Sequence, residues 1–142
     1  MKTIRFLLLL AVLLLATSRC FALIMIHTVS KEQAMKDFGA TIRTETVGTN
    51  QVGVRLEFIP KGKLQTFSSV QLEITSGERR VVSADLSPLK QTADAVVIYF
   101  STDPSYLATS TLTLFYKTSG GVPPYDGLQF NVRDFIKHDS SH

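Results

Sequence analysis

Three histidines are the first residues with chemistry to offer: His27, His138 and His142. An imidazole near neutral pH is the usual base for activating a nucleophile. His138 and His142 stand at i and i+4, which on a helix would bring two imidazoles to one metal. They sit in a polar run from Lys137 to His142, however, which reads as a flexible tail. His27 lies in the apolar stretch Leu23 to Val29 and reads as a strand-edge or surface histidine. No Gly-x-Ser-x-Gly elbow is present. The single cysteine, Cys20, falls in a leader, which leaves the mature chain without a thiol nucleophile.

Paired carboxylates are the next chemistry to consider. Glycoside cleavage needs two acids roughly 5 to 9.5 Å apart across a cleft. Glu57 and Glu73 fall on the polar faces of strands read as neighbours. Arg55 and Glu73 are equally placed for a cross-strand ion pair, which is the plainer reading. Asp85, Asp94, Asp103 and Asp126 lie near strand ends, where loop carboxylates can gather Ca²⁺ with backbone carbonyls. Turn-capping is the commoner use of such aspartates, and no EF-hand spacing occurs. Neither a P-loop nor Gly-x-Gly-x-x-Gly is present. Arg79-Arg80 is the only basic doublet, and on a strand its side chains point to opposite faces, which makes no patch for nucleic acid. The sequence therefore assigns no catalytic residue, no metal ligand and no cofactor.

Binding remains. The longest irregular stretch runs from Thr118 to Asp126, and loops on a rigid scaffold commonly carry recognition. Val122, Pro123, Pro124, Tyr125 and Asp126 are its candidate binding residues. Tyr106, beside the turn Thr102 to Ser105, is a second candidate. A weak strand over 40–47, if it lies at a sheet edge, offers β-augmentation.

The elements that must position these residues follow from pattern. The chain has 142 residues, 44% of them hydrophobic, with one Cys and no Trp. That composition excludes a disordered chain, a fibrous protein and a disulfide framework. Residues 1–22 read as a secretory signal peptide: Lys2 and Arg5 precede the apolar run Phe6 to Ala16, and small residues precede a cut after Ala22. The run is short for a membrane span. An uncleaved anchor and a lipidated Cys20 are the alternatives, and Arg19 before the cysteine is unfavourable for the second. The excess of 15 basic over 12 acidic residues is carried by Lys2, Arg5 and Arg19. The rest of the chain is formally neutral, so its basic pI is no argument for nucleic acid or an anionic membrane.

About 120 residues remain, enough for one core. Leu23 to Val29 is apolar enough for a first strand. Ser30 as N-cap, Gln33 completing a capping box, Ala34, Met35 and Phe38 on one face and Gly39 as stop predict a helix over Lys31 to Phe38. Beyond it the pattern is alternation: Ile42 to Thr46, Val52 to Phe58, Val70 to Ile74, Val82 to Leu86, Leu112 to Tyr116 and Leu128 to Val132. Ala95 to Phe100 is continuously apolar, as in a central strand. Gly48-Thr-Asn50, Pro60-Lys-Gly-Lys63, Ser76-Gly77 and Ser87-Pro88 punctuate the runs. Thr44, Thr46, Thr111 and Thr113 read as solvated outer surface.

The expectation is an all-β fold: an immunoglobulin-like β-sandwich of seven or eight short antiparallel strands over 23–136, with one helix near the mature N-terminus and a tail at 137–142. A small β-barrel is the alternative. The expected function is a secreted or periplasmic, non-enzymatic module that binds or supports another protein. A module taking calcium or carbohydrate through its loops is the second expectation. Neither nucleic acid nor a membrane span after signal cleavage is expected.

Overall fold

A computed structural model describes residues 24–120 and 124–136. The expected signal peptide over residues 1–22 with Cys20, the candidates Val122 and Pro123, and the expected tail with His138 and His142 lie outside the described residues. No described helix is long and apolar enough to cross a membrane.

The chain forms two sheets over one core. β1 (Ile26–Thr28) leads into helix α1 (Lys31–Phe38), followed by β2 (Thr41–Val47), β3 (Gln51–Phe58), β4 (Phe67–Ser76), β5 (Arg79–Leu86), β6 (Lys90–Gln91), β7 (Val96–Thr102), β8 (Ser110–Lys117), β9 (Tyr125–Asn131) and helix α2 (Val132–Ile136). Short 3-10 helices, Gly62–Thr66 and Pro104–Thr109, precede β4 and β8. The five-stranded sheet has the order β1-β9-β8-β4-β5 and the four-stranded sheet β2-β3-β7-β6. They do not close into a barrel. The alternating residues of both sheets meet between them: Val54, Leu56, Phe58 and Ile98 from one, Val70, Leu112, Leu114 and Phe130 from the other, all fully buried. Phe58 and Phe67 pack edge to face at 5.4 Å, the preferred aromatic geometry.

Several local expectations hold. α1 spans the predicted residues, Gln33 N–H donates to Ser30 Oγ at 3.2 Å, and Gly39 ends the helix at φ 60°. Only glycine takes that left-handed turn at no steric cost. β2 is an edge strand, and its hairpin to β3 turns at Gly48. β7 lies inside its sheet, between β3 and β6.

Other expectations are corrected. Among the described residues nine strands form, not seven or eight, and they are not all antiparallel, because β1 pairs parallel to β9. Met35 is exposed, since only Ala34 and Phe38 of α1 reach the core. The Gln33 side chain does not close a capping box but donates to Asp37 one turn on. Val132 belongs to α2, not to the last strand: Val132 and Phe135 are buried three residues apart, a helical spacing. Asn131 donates to Asp134 at 3.3 Å across that turn. Val82 is not in the buried core but 37% exposed, on the edge strand β5. Thr113 is buried rather than solvated: β8 lies between β4 and β9, which set Gln71 and Gln129 on either side of it.

Candidate functional site

A cleft of about 760 Å³ lies where α1, the 60s turn and the β1–β9 edge converge. Several features build it. α1 packs Ala34 and Phe38 inward, which leaves Gln33, Lys36 and Asp37 along the flank facing the cleft. Ile59 N–H donates to Phe38 O at 2.8 Å, tying the end of β3 to the end of α1. Beyond Pro60, Gly62 at φ 56° turns the chain, and fully buried Leu64 anchors the 3-10 helix. Lys61 and Lys63 are thereby held on the exposed side of the turn. The third wall is His27 and Val29 beside Leu128.

The floor of this cleft is apolar, from Val29, Phe38 and Leu128. Its rim is basic, with Lys36, Lys61, Lys63 and His27. One lining carboxylate, Asp37, accepts from Gln33. Such a surface suits an anionic occupant that also has apolar groups to bury. No hydrogen bond joins His27 to a carboxylate among the described residues.

Among the described candidates, Tyr106 does not come together with Tyr125 and Asp126. Tyr106 lies in the 3-10 helix before β8, where its carbonyl accepts from Ser110 Oγ at 2.7 Å. Tyr125 pairs with Lys117 at the other end of β8. Seven strand steps separate Ser110 from Lys117, roughly 24 Å. Pro124 O accepts from Thr118 N at 2.9 Å and closes the loop. Tyr125 lines a shallower hollow of about 360 Å³ with Ile24, Ser68, Ser69 and Phe115 on the outer face. Asp126 points to the inner face beside Tyr116. Its Oδ1 also accepts from Met25 N at 3.3 Å.

The carboxylates disperse as well. Glu57 and Glu73 stand in different sheets, which rules out the close pair that neighbouring strands would have made. The Arg55–Glu73 ion pair is absent for the same reason. Arg55 instead lies 3.8 Å from Glu57 on its own strand, and Arg80 3.1 Å from Glu73. Asp94 and Asp103 flank opposite ends of β7. Asp103 caps the 3-10 helix, accepting from Ser105 N at 2.9 Å and Ser105 Oγ at 2.6 Å. These bonds hold its carboxyl below the usual range. Among the described residues no three His, Cys, Asp or Glu side chains converge as metal ligands would.

Sequence reasoning missed the lysine cleft. Lys36 sits on a helix flank, and Lys61 and Lys63 sit in a turn more than twenty residues later. No local pattern marks their convergence. It also missed a cluster on the outer face of the four-stranded sheet, where Arg43, Arg55 and Tyr99 stand in one cross-strand row. Loss of solvent raises the Tyr99 hydroxyl above its ordinary value, with a further push from the Glu45 carboxylate and its hydrogen bond.

No protein-family model matches the chain, and neither a curated protein nor a solved structure matches it.

Proposed function

We propose that this chain is an exported, non-enzymatic β-sandwich that binds another protein of the cell envelope or extracellular space. The observation that carries the reading is the cleft, with its apolar floor of Val29, Phe38 and Leu128 and its rim of Lys36, Lys61 and Lys63. Export rests on the leader pattern of residues 1–22.

The immunoglobulin-like form of the sandwich is supported by strand order. β2-β3-β7-β6 corresponds to A-B-E-D, and β9-β8-β4-β5 to G-F-C-C′. In such folds the strands are scaffold, and recognition falls to loops and to the ends of the sandwich. The cleft is bounded by such a connection, the turn that holds Lys61, Gly62 and Lys63.

A second reading, a small-ligand module, is favoured by the hollow that Tyr125 shares with Phe115. Two aromatic rings beside Ser68 and Ser69 suit a sugar face. Calcium has no comparable motive, given the dispersal of Asp85, Asp94, Asp103 and Asp126.

The test is in-cell photo-crosslinking from a reactive residue placed at Lys61, with Thr46 as the control position. One dominant protein adduct from the first position alone is expected, on a chain whose N-terminus is Leu23. Equal labelling from both positions, or none, overturns the protein-binding reading. Heat on titration with a glycan panel, lost in Tyr125→Ala, would establish the second reading instead.

A further inference from the structure

The four outermost strands are not equally open to a partner. β5 carries Arg79, Arg80 and Asp85, and its register breaks between Ile74 and Thr75, leaving Val81 without a partner on β4. β2 carries Arg43 and Glu45. Charges and bulges of this kind keep sheet edges from pairing. β6 is two residues long. β1 has no charged residue, and Ile24, Met25 and Ile26 beside and within it are 46%, 57% and 51% exposed.

The backbone of β1 shows which groups are free. Gly127 N–H donates to Met25 O at 2.8 Å, and Val29 N–H donates to Gln129 O at 3.0 Å. In a parallel ladder the bonding residues alternate. Met25, His27 and Val29 therefore face β9, while the amide and carbonyl groups of Ile26 and Thr28 face the open edge. Among the described residues nothing pairs with them.

This edge stands over the lysine cleft. His27 is in register with Leu128, whose side chain is buried in the core, so His27 projects from the core-facing side of the sheet. A strand added outside β1 sends its alternate side chains to that same side, toward Lys36, Lys61 and Lys63. Resting on the protein-binding reading of the cleft, we propose that its occupant is an extended acidic segment of a partner polypeptide. The segment adds as a strand to β1, and its alternate side chains, carboxylates around an apolar residue, enter the cleft. Backbone bonds supply the seat, and the pockets for alternate side chains supply selectivity. A lipid surface offers no donors and acceptors in register with Ile26 and Thr28, and the basic groups line a concavity rather than a protruding face.

The probe is a short synthetic peptide with glutamates flanking a leucine on one strand face and threonines on the other. Its binding to the native protein is followed by amide hydrogen exchange and by calorimetry. At saturation the amides of Ile26 and Thr28 are expected to exchange at least about tenfold more slowly. Methylating alternate backbone nitrogens of the peptide is expected to weaken binding by about tenfold or more. The double reversal Lys61→Glu with Lys63→Glu should do the same, with an unchanged melting temperature showing that the fold is intact. No binding at millimolar peptide overturns the proposal. So does binding that leaves Ile26 and Thr28 unprotected, or tighter binding to phosphatidylglycerol vesicles than to the peptide. If the Lys61 position still cross-links one protein in cells when the peptide fails, the protein-binding reading survives and strand addition alone falls. If both fail, both fall.

Discussion

The ring of Tyr99 on β7 lies across Gly53 on β3: a Cβ at Gly53 would stand 2.9 Å from Tyr99 Cζ and 3.0 Å from Glu45 Cγ. Gly53 has an ordinary negative φ, so its role is space rather than backbone freedom. Gly53→Ala should improve strand propensity slightly, yet force Tyr99 off its seat. The clash is expected to win, with a net loss of about 1 kcal/mol. In a Tyr99→Ala background the same change should cost nothing or stabilise. Urea denaturation of the four proteins closes the cycle, and equal costs in both backgrounds would contradict the close-packing account.

Alkaline pH should loosen the fold. Burial raises Tyr99 and Tyr116 above the ordinary 10.0, with Glu45 and Asp126 respectively adding to the effect. A raised folded-state value favours the neutral phenol in the native protein. The associated stability is therefore complete below about pH 10 and lost as pH climbs through the folded values. Ultraviolet titration should show two phenols ionising late, and Glu45→Gln should bring one of them earlier.

At low pH the group to watch is Asp103. Its depressed carboxyl contributes stability above the ordinary carboxylate range that is lost as pH falls through the folded value. Asp103→Asn, which keeps the size but not the charge, should flatten the acid limb of a stability-against-pH curve. An unchanged limb would mean that ionisation of Asp103 contributes nothing to folding.

Gly127 holds β1 against its sheet. A Cβ there would stand 2.9 Å from Thr113 Cγ2 and 3.4 Å from Ile26 Cγ1 and Phe115 Cε1. Thr113 is buried and cannot swing away. Gly127→Ala is expected to cost about 1–2 kcal/mol and to speed exchange of the His27 and Val29 amides, which bond to β9. Unaltered exchange at those two positions would show that the edge absorbs the methyl.

The helix cap bears on the cleft more than on global stability. Ser30→Ala removes the acceptor for Gln33 N–H, an effect of about 1 kcal/mol. Fraying should centre on the first turn of α1, beside Gln33. Thermal melts of Ser30→Ala and Ser30→Asp should differ by a few degrees, since Asp restores the acceptor.

The sequence by itself determined the local elements, because their causes are local. Ser30 and Gly39 bound α1 through a cap and a left-handed turn. Alternation at Val52 to Phe58 and Leu112 to Tyr116 fixes which side chains face inward. The apolar run Phe6 to Ala16 and the basic residues around it are legible for the same reason, as runs of adjacent residues. What alternation cannot carry is which strand lies beside which. Only the tertiary structure put Glu57 and Glu73 in different sheets, and set Tyr106 and Tyr125 at opposite ends of β8. It also placed the three-residue β1 parallel to β9, a pairing between segments about a hundred residues apart in sequence. Val132 marks the boundary between the two kinds of information: its period-two position continues β9, but burial with Phe135 against β2 and the preceding 3-10 helix turns it into α2. The lysine cleft belongs to the same category. Lys36, Lys61 and Lys63 come together where Phe38 O accepts from Ile59 N and binds the end of α1 to the end of β3. That is one long-range hydrogen bond, with no counterpart in the spacing of the residues it joins.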